Sequence, residues 1–179
     1  MKRHFLLWTC YLFLTGITAG LVAFCLTGAI HLIQTLSFGF KQGSFSTMIA
    51  SIPPYRRAIS LVLAGLLAGV GWHWLAKKGK VIQSIQQTLH DNTLFSPWTQ
   101  FWHGWLQLTT VSMGAPVGRE GASREVAVAM TSLWSQKCNL SKKDQKLLLA
   151  CASGAALGAV YNAPLATIIF ILEVILNCC

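Results

Sequence analysis

The sequence predicts an all-α protein: a multi-pass bundle of transmembrane helices, some of them broken, with a stretch that re-enters the membrane. Three observations point there. The 179 residues are 54% hydrophobic and only 11% charged, with a mean hydropathy of +0.54. A soluble domain carries about 25% charged residues to cover its surface. Residues Phe5–Phe40, Ala58–Ala76, Asn92–Gly118 and Leu147–Leu172 contain no Asp, Glu, Lys or Arg, and a span needs roughly 20 apolar residues. The basic residues gather at the ends of these runs, as positive-inside anchors do. They are Lys2 and Arg3, then Lys77, Lys78 and Lys80, then Lys137, Lys142, Lys143 and Lys146.

The first span is expected over about 5–38. As one helix the run Phe5–Phe40 would be about 54 Å long against a hydrocarbon core of about 30 Å, so it must be strongly tilted or broken. Gly39, Gly43 and the serines that follow end it. It reads as a span and not as a cleaved leader, because its apolar part far exceeds the roughly 7–15 residues of an h-region. Pro53 and Pro54 close an extramembrane loop, and Arg56 and Arg57 open the second span, about 58–76. The segment "KVIQSIQQTLHDN" is too short and too polar to cross, and suggests an interfacial or re-entrant helix over about 81–89. Phe95, Trp98, Phe101 and Trp102 form an interfacial belt at the start of a third span, about 98–113. Helices over about 120–134, 144–160 and 163–176 follow, the last two divided at "YNAP". The pairs Gly16/Gly20, Gly65/Gly69 and Gly154/Gly158 are spaced to let helix backbones approach closely within the bundle.

Several function classes fall away. The net charge of +9 sets topology, since no basic stripe is interleaved with aromatics in the manner of a single-strand binder. No nucleic-acid partner is expected. The cysteines Cys10, Cys25, Cys138, Cys151, Cys178 and Cys179 show no metal-ligand spacing and read as small buried thiols. His4, His31, His73, His90 and His103 are scattered, as helix-end or packing residues are. There is no HExxH, no G-x-S-x-G elbow and no aspartate dyad, so neither an enzyme nor a metal or cofactor site is expected.

The chemistry concentrates in "VSMGAPVGREGASREVAVAM", residues Val111–Met130, where two arginines and two glutamates fall between Arg119 and Glu125. Gly114, Pro116, Gly118 and Gly121 prevent an unbroken helix. Non-helical backbone at membrane depth is tolerated only when it is buried in protein or lines a watery cavity. The stretch therefore reads as a break that leads into a helix starting near Glu120. A helix start offers unpaired N–H groups and the positive end of the dipole, which favour an anion, and glycines let an ion approach the backbone. A carboxylate at that start is a tethered anion. It competes with a free anion and leaves when protonated or displaced, so it can act as a gate. The alternative is that Glu120 pairs with Arg124, four residues on along the same helical face. On the residues alone the two readings stand level.

"GREG" after an apolar helix, followed some forty residues later by "SGAALGAVYNAPLATIIFILEV", resembles the ClC family of chloride channels and proton-coupled chloride antiporters. The family signature is G-[KR]-E-G-P, then an aromatic, N-A-P-L-A and an apolar helix ending in Glu. The resemblance is best over about Trp98–Leu176, and it implies most of the first inverted half of a ClC-type fold. It implies that Glu120 is the gating carboxylate, that the backbone at Gly118, Arg119 and Gly121 belongs to the anion pathway, and that Glu173 lies on a possible proton path. It also implies chloride or a similar small anion as cargo, and a plasma or bacterial inner membrane as the setting. Its further implied partners are the remaining half of the fold and, when complete, a second copy in a homodimer.

The sequence departs from the family at four places. Ala122 stands where the family has proline, and fills a first-turn position without harm. Arg124 and Glu125 replace uncharged residues and suggest a local ion pair that competes for Glu120. The family's G-S-G-I-P aligns with "GKVIQ", Gly79–Gln83, so Lys80 replaces an anion-binding serine, either attracting an anion or snorkelling as an anchor. Glu173-Val174 replaces the two adjacent glutamates of antiporter members, which favours passive or loosely coupled flux. The second half is absent, as in a fragment or truncated product. The competing readings are a truncated, non-conducting membrane assembly module and a proton-coupled anion antiporter.

Overall fold

The structure, a computed structural model, describes residues 2–39, 52–77, 96–138 and 140–175, with the backbone alone at 2–5, 174 and 175. Helix α1 spans Lys2–Phe38, α2 Pro54–Lys77, α3 Pro97–Ser112, α4 Glu120–Ser135, α5 Lys142–Tyr161 and α6 Pro164–Phe170. A 3-10 turn covers Gln136–Cys138, and a π-helical turn over Ile171–Ile175 continues α6. Among the described residues there is no strand, and the protein is all-α.

Helix α1 is continuous over its 37 residues, which excludes the break that its length suggested. Breaking it would expose backbone N–H and C=O groups to hydrocarbon, and no proline forces that. The excess length is taken up by tilt or by emergence from the apolar layer. Gly39, at φ +75, ends the helix, and its N–H donates to the Thr35 carbonyl at 2.8 Å. A left-handed residue after the last turn is the usual helix stop, and glycine adopts it without strain. Arg56 of α2 donates from Nε to the Ser37 carbonyl at 3.2 Å, placing a cation at the negative end of the α1 dipole. That contact gives Arg56 a structural task at this end of the bundle. Gly43 and the interfacial-helix region 81–89, with Phe95, lie outside the described residues.

The stretches Leu6–Phe38 and Pro54–Lys77 are each long and apolar enough to cross a membrane. Their outer faces are greasy: Phe13, Phe24 and Val70 are at least 70% exposed, as suits lipid and not water. Helix α4 lies at the centre, against α3 on one side and α5 on the other, with α1 crossing α4 and α5. Ala19, Val22 and Leu26 of α1 meet Leu108 of α3, Ala122, Val126 and Ala127 of α4 and Ala156 of α5 in one buried cluster. Small residues on three of these helices let the backbones approach, which replaces the hydrophobic drive that lipid does not supply.

Only one of the three glycine pairs does this within the described chain. A Cβ at Gly154 would stand 2.6 Å from Ile171 Cγ1, and one at Gly158 would stand 2.9 Å from Thr167 Oγ1. Gly16, Gly20, Gly65 and Gly69 have nothing within 4 Å, because these faces of α1 and α2 point away from the bundle. The thiols also differ from expectation. Cys10 and Cys25 are exposed and Cys138 and Cys151 half-buried, since α1 turns an apolar face outward and carries its cysteines there. Cys178 and Cys179 lie outside the described residues.

Helix α5 starts at Ser141, whose hydroxyl accepts from the Asp144 N–H at 3.2 Å, an N-cap that meets one unpaired first-turn donor. It ends at Asn162, in the left-handed region at φ 53, after which Pro164 opens α6. "YNAP" is thus a sharp corner that sets Tyr161 at the very end of α5.

Candidate functional site

The site is built on residues 113–119, between α3 and α4. Gly114 has φ +101, a conformation that L side chains rarely adopt, and the Phe38 ring would lie 3.4 Å from a Cβ there. The irregular backbone keeps its hydrogen bonds. The buried Ser60 hydroxyl donates to the Met113 carbonyl at 2.8 Å, and Gln107 Nε2 donates to the Gly118 carbonyl at 3.1 Å. The N–H of Ala115 reaches the Thr110 carbonyl at 3.2 Å, and that of Val117 the Ala115 carbonyl at 2.8 Å. Such bonds satisfy polar groups that the break takes out of the helical ladder. Gly121 suits the same arrangement, since a Cβ would come 2.9 Å from Gln107 Nε2 and displace that amide.

Helix α4 then begins at Glu120 with Arg119 as its N-cap, and no side chain caps its first turn. Ala122, in the place of the expected proline, is fully buried and fits without distortion. Glu120 itself is exposed, and its Oε1 accepts a hydrogen bond from the Tyr161 hydroxyl. The carboxylate lies over Gly118, where a Cβ would stand 3.6 Å from Glu120 Cδ.

The two ion pairs suggested by the charges on α4 do not form. Arg124 donates from Nε to Ser153 Oγ at 3.0 Å, and its guanidinium sits 5.3 Å above the Phe170 ring. Glu125 meets His103 of α3, with Oε2 at 2.5 Å from Nδ1. Successive residues on a helix point about 100° apart, so Arg124 faces α5 and α6 while Glu125 faces α3. Among the described residues Glu120 forms no ion pair.

Two cavities flank this carboxylate. One of about 710 Å³ lies between α1 and the broken segment, lined by His31, Gln34, Gly118 and Arg119 among others. The second, about 450 Å³, is lined by Arg124, Leu157 and Phe170 among others. Glu120 and Tyr161 line both. Of the residues singled out from the sequence, Gly118, Arg119 and Glu120 come together at the first cavity, and Gly121 packs behind them on Gln107. Glu173 is exposed on the π-helical turn and lines neither cavity. Lys80 lies outside the described residues, as does the side chain of Val174.

Sequence reasoning passed over Tyr161, Gln107 and Ser60, and read His103 as a helix-end or packing residue, whereas it meets Glu125. Tyr161 carried one usable signal: it ends a helix at the "YNAP" corner, and its neighbour helix in sequence starts with Glu120. The other three sit inside helices, where spacing alone does not tell which neighbour they meet.

Comparison with known proteins agrees with this architecture. Residues 64–178 match the family described as "Voltage gated chloride channel". The chain is 29% identical over 171 residues to "Voltage-gated ClC-type chloride channel ClcB" of Escherichia coli O81, covering 92% of this chain and 41% of that protein. It is 28% identical over 164 residues to the protein of the same name from Citrobacter koseri, covering 89% and 39% respectively. The chain therefore spans about two fifths of the length of the curated relatives it matches. With the family profile matched over more than half of its residues, this chain belongs to the voltage gated chloride channel family.

Proposed function

We propose that the chain is the N-terminal part of an integral membrane protein that moves chloride or a similar small anion, and that Glu120 is its gating carboxylate. The observation that supports this best is the position of Glu120: it opens a helix whose first turn has no side-chain cap, forms no ion pair among the described residues, and lines both flanking cavities. A helix start of this kind attracts an anion through its free N–H groups and its dipole. The tethered carboxylate competes for the same place while charged and withdraws when neutral.

In this reading Gly118, Arg119 and Gly121 contribute to the anion path, and Lys80 is a further candidate for it. The chain crosses the membrane several times, with its lysine-rich ends on the cytoplasmic side and the Glu120–Tyr161 end facing out. Val174 in place of a second glutamate favours passive flux over proton-coupled exchange, with Glu173 as the remaining proton-path candidate. The rest of the fold, and a second copy of the complete protein, are the partners. The test is anion efflux from chloride-loaded vesicles holding the full-length protein. Efflux that depends on the protein and changes with Glu120→Gln supports the reading, and folded protein without efflux contradicts it.

A further inference from the structure

The Glu120 carboxylate has a choice of two donor groups, and it takes the less obvious one. Its own helix start has no side-chain cap. Yet Oε1 accepts from the phenol of Tyr161, a residue 41 positions away at the end of the antiparallel helix α5. Hydrogen bonds to an ionised carboxylate are roughly twice as strong as neutral ones, so this one partner weighs heavily on where the carboxylate rests. The phenol is held for the task by the corner at Asn162, whose φ of 53 ends α5. Among the described residues, few other charged or titratable groups surround the carboxylate. Arg119 and Arg124 lie on its own segment, and Arg124 is engaged with Ser153 and Phe170. His31 of α1 lines the larger cavity, and the α6 residues lining the smaller one, Ala166, Thr167 and Phe170, carry no charge.

We infer that Tyr161 is a positioning residue for the gate: its hydroxyl holds the charged Glu120 carboxylate away from the start of α4, so that the helix start stays open to an anion. This rests on the reading of Glu120 as the gating carboxylate. A phenylalanine at the same corner keeps the ring but donates nothing. The carboxylate then turns to the unpaired first-turn N–H groups, which welcome a negative charge, and the tethered anion occupies the place a free one needs. The chain thus carries a built-in opener, and its effect exists only while Glu120 is charged.

The experiment measures chloride flux per folded protein across a pH series, in vesicles of the full-length protein, for wild type, Tyr161→Phe, Glu120→Gln and the double variant. Loss of one hydrogen bond to a charged group shifts the two poses by roughly tenfold. Tyr161→Phe is therefore expected to lower flux near neutral pH by roughly three- to tenfold. Its flux should rejoin that of the wild type in acid, where protonation ends the competition, and the double variant should match Glu120→Gln. If Glu120→Gln raises flux while Tyr161→Phe follows the wild type at every pH, the opener is wrong and the gate stands. A Tyr161→Phe loss of equal size in the Glu120→Gln background would mean a structural ring only. A gain of flux in Tyr161→Phe would mean that the bond holds a blocking pose, and this also overturns the inference. Failure of Glu120→Gln itself to raise flux would remove the gate on which the inference rests.

Discussion

The hydroxyl of Tyr161 donates to the carboxylate of Glu120 across 41 residues of sequence, and this bond joins the first residue of α4 to the last residue of α5. The two helices run antiparallel and pack along their length, so one end of the pair is tied by a polar contact at the mouth of the broken segment.

His103 and Glu125 form a second polar tie, between α3 and α4, with side chains only 20% and 17% exposed. Trp72 of α2 covers the imidazole, ring centres 6.1 Å apart. Removing one partner leaves the other unsatisfied, so Glu125→Ala should cost roughly 1.5–3 kcal/mol of stability. Replacing His103 by alanine as well should recover part of that loss, as interacting pairs do in a double-mutant cycle. Thermal unfolding in detergent reads this out. Losses that simply add would show the pair to be uncoupled.

Gly104 and Gly69 make opposite predictions for the same substitution. A Cβ at Gly104 would come 2.9 Å from Val126 Cγ2 and 3.1 Å from the Ala122 carbonyl oxygen, while Gly69 has nothing within 4 Å. Gly104→Ala should force α3 and α4 apart at a cost of roughly 1–3 kcal/mol. Gly69→Ala should be neutral, or stabilising by roughly 0.5–1 kcal/mol through helix propensity. Equal melting temperatures for the two variants would contradict the packing described here.

Topology follows from the lysines, with Arg56 accounted for as the partner of the α1 terminus. The prediction is that position 142, at the start of α5, faces the cytoplasm. A cysteine placed at Lys142 in a background without the native cysteines should react with a membrane-impermeant thiol reagent only after the cells are opened. Labelling in intact cells would reverse the map.

Val174 cannot carry a proton, so anion flux through the complete protein is expected without stoichiometric proton movement. Vesicles with an imposed proton gradient and no chloride gradient should show no net chloride uptake when the membrane potential is clamped. Uphill uptake at a fixed ratio to protons would mean that another group, Glu173 first among them, completes the relay.

Much of this was legible in the sequence, for physical reasons. The uncharged runs mark apolar helices because lipid tolerates nothing else, and the glycines at 114, 118 and 121 with Pro116 mark a break because no other composition leaves a helix so readily. Glu120 as a helix start and "YNAP" as a corner were readable from local chemistry alone. The partners were not. Glu125 on His103, Arg124 on Ser153 and Glu120 on Tyr161 depend on which way each side chain points on α4 and on which helix lies there. Charge spacing within one helix pointed to Arg124 for both glutamates, and the neighbouring helices supplied better partners. The glycine pairs failed for a related reason: spacing places Gly65 and Gly69 on one face, but says nothing of what covers it.

The gate itself is tested by chloride flux of Glu120→Gln, per folded full-length protein, followed across pH beside the wild type. With the tethered charge removed, flux should rise at neutral pH and lose most of its pH dependence, and acid should bring the wild type up to the level of the variant. An unchanged flux, or a fall that is reversed by also neutralising Arg124, would make Glu120 a structural residue and contradict the gate.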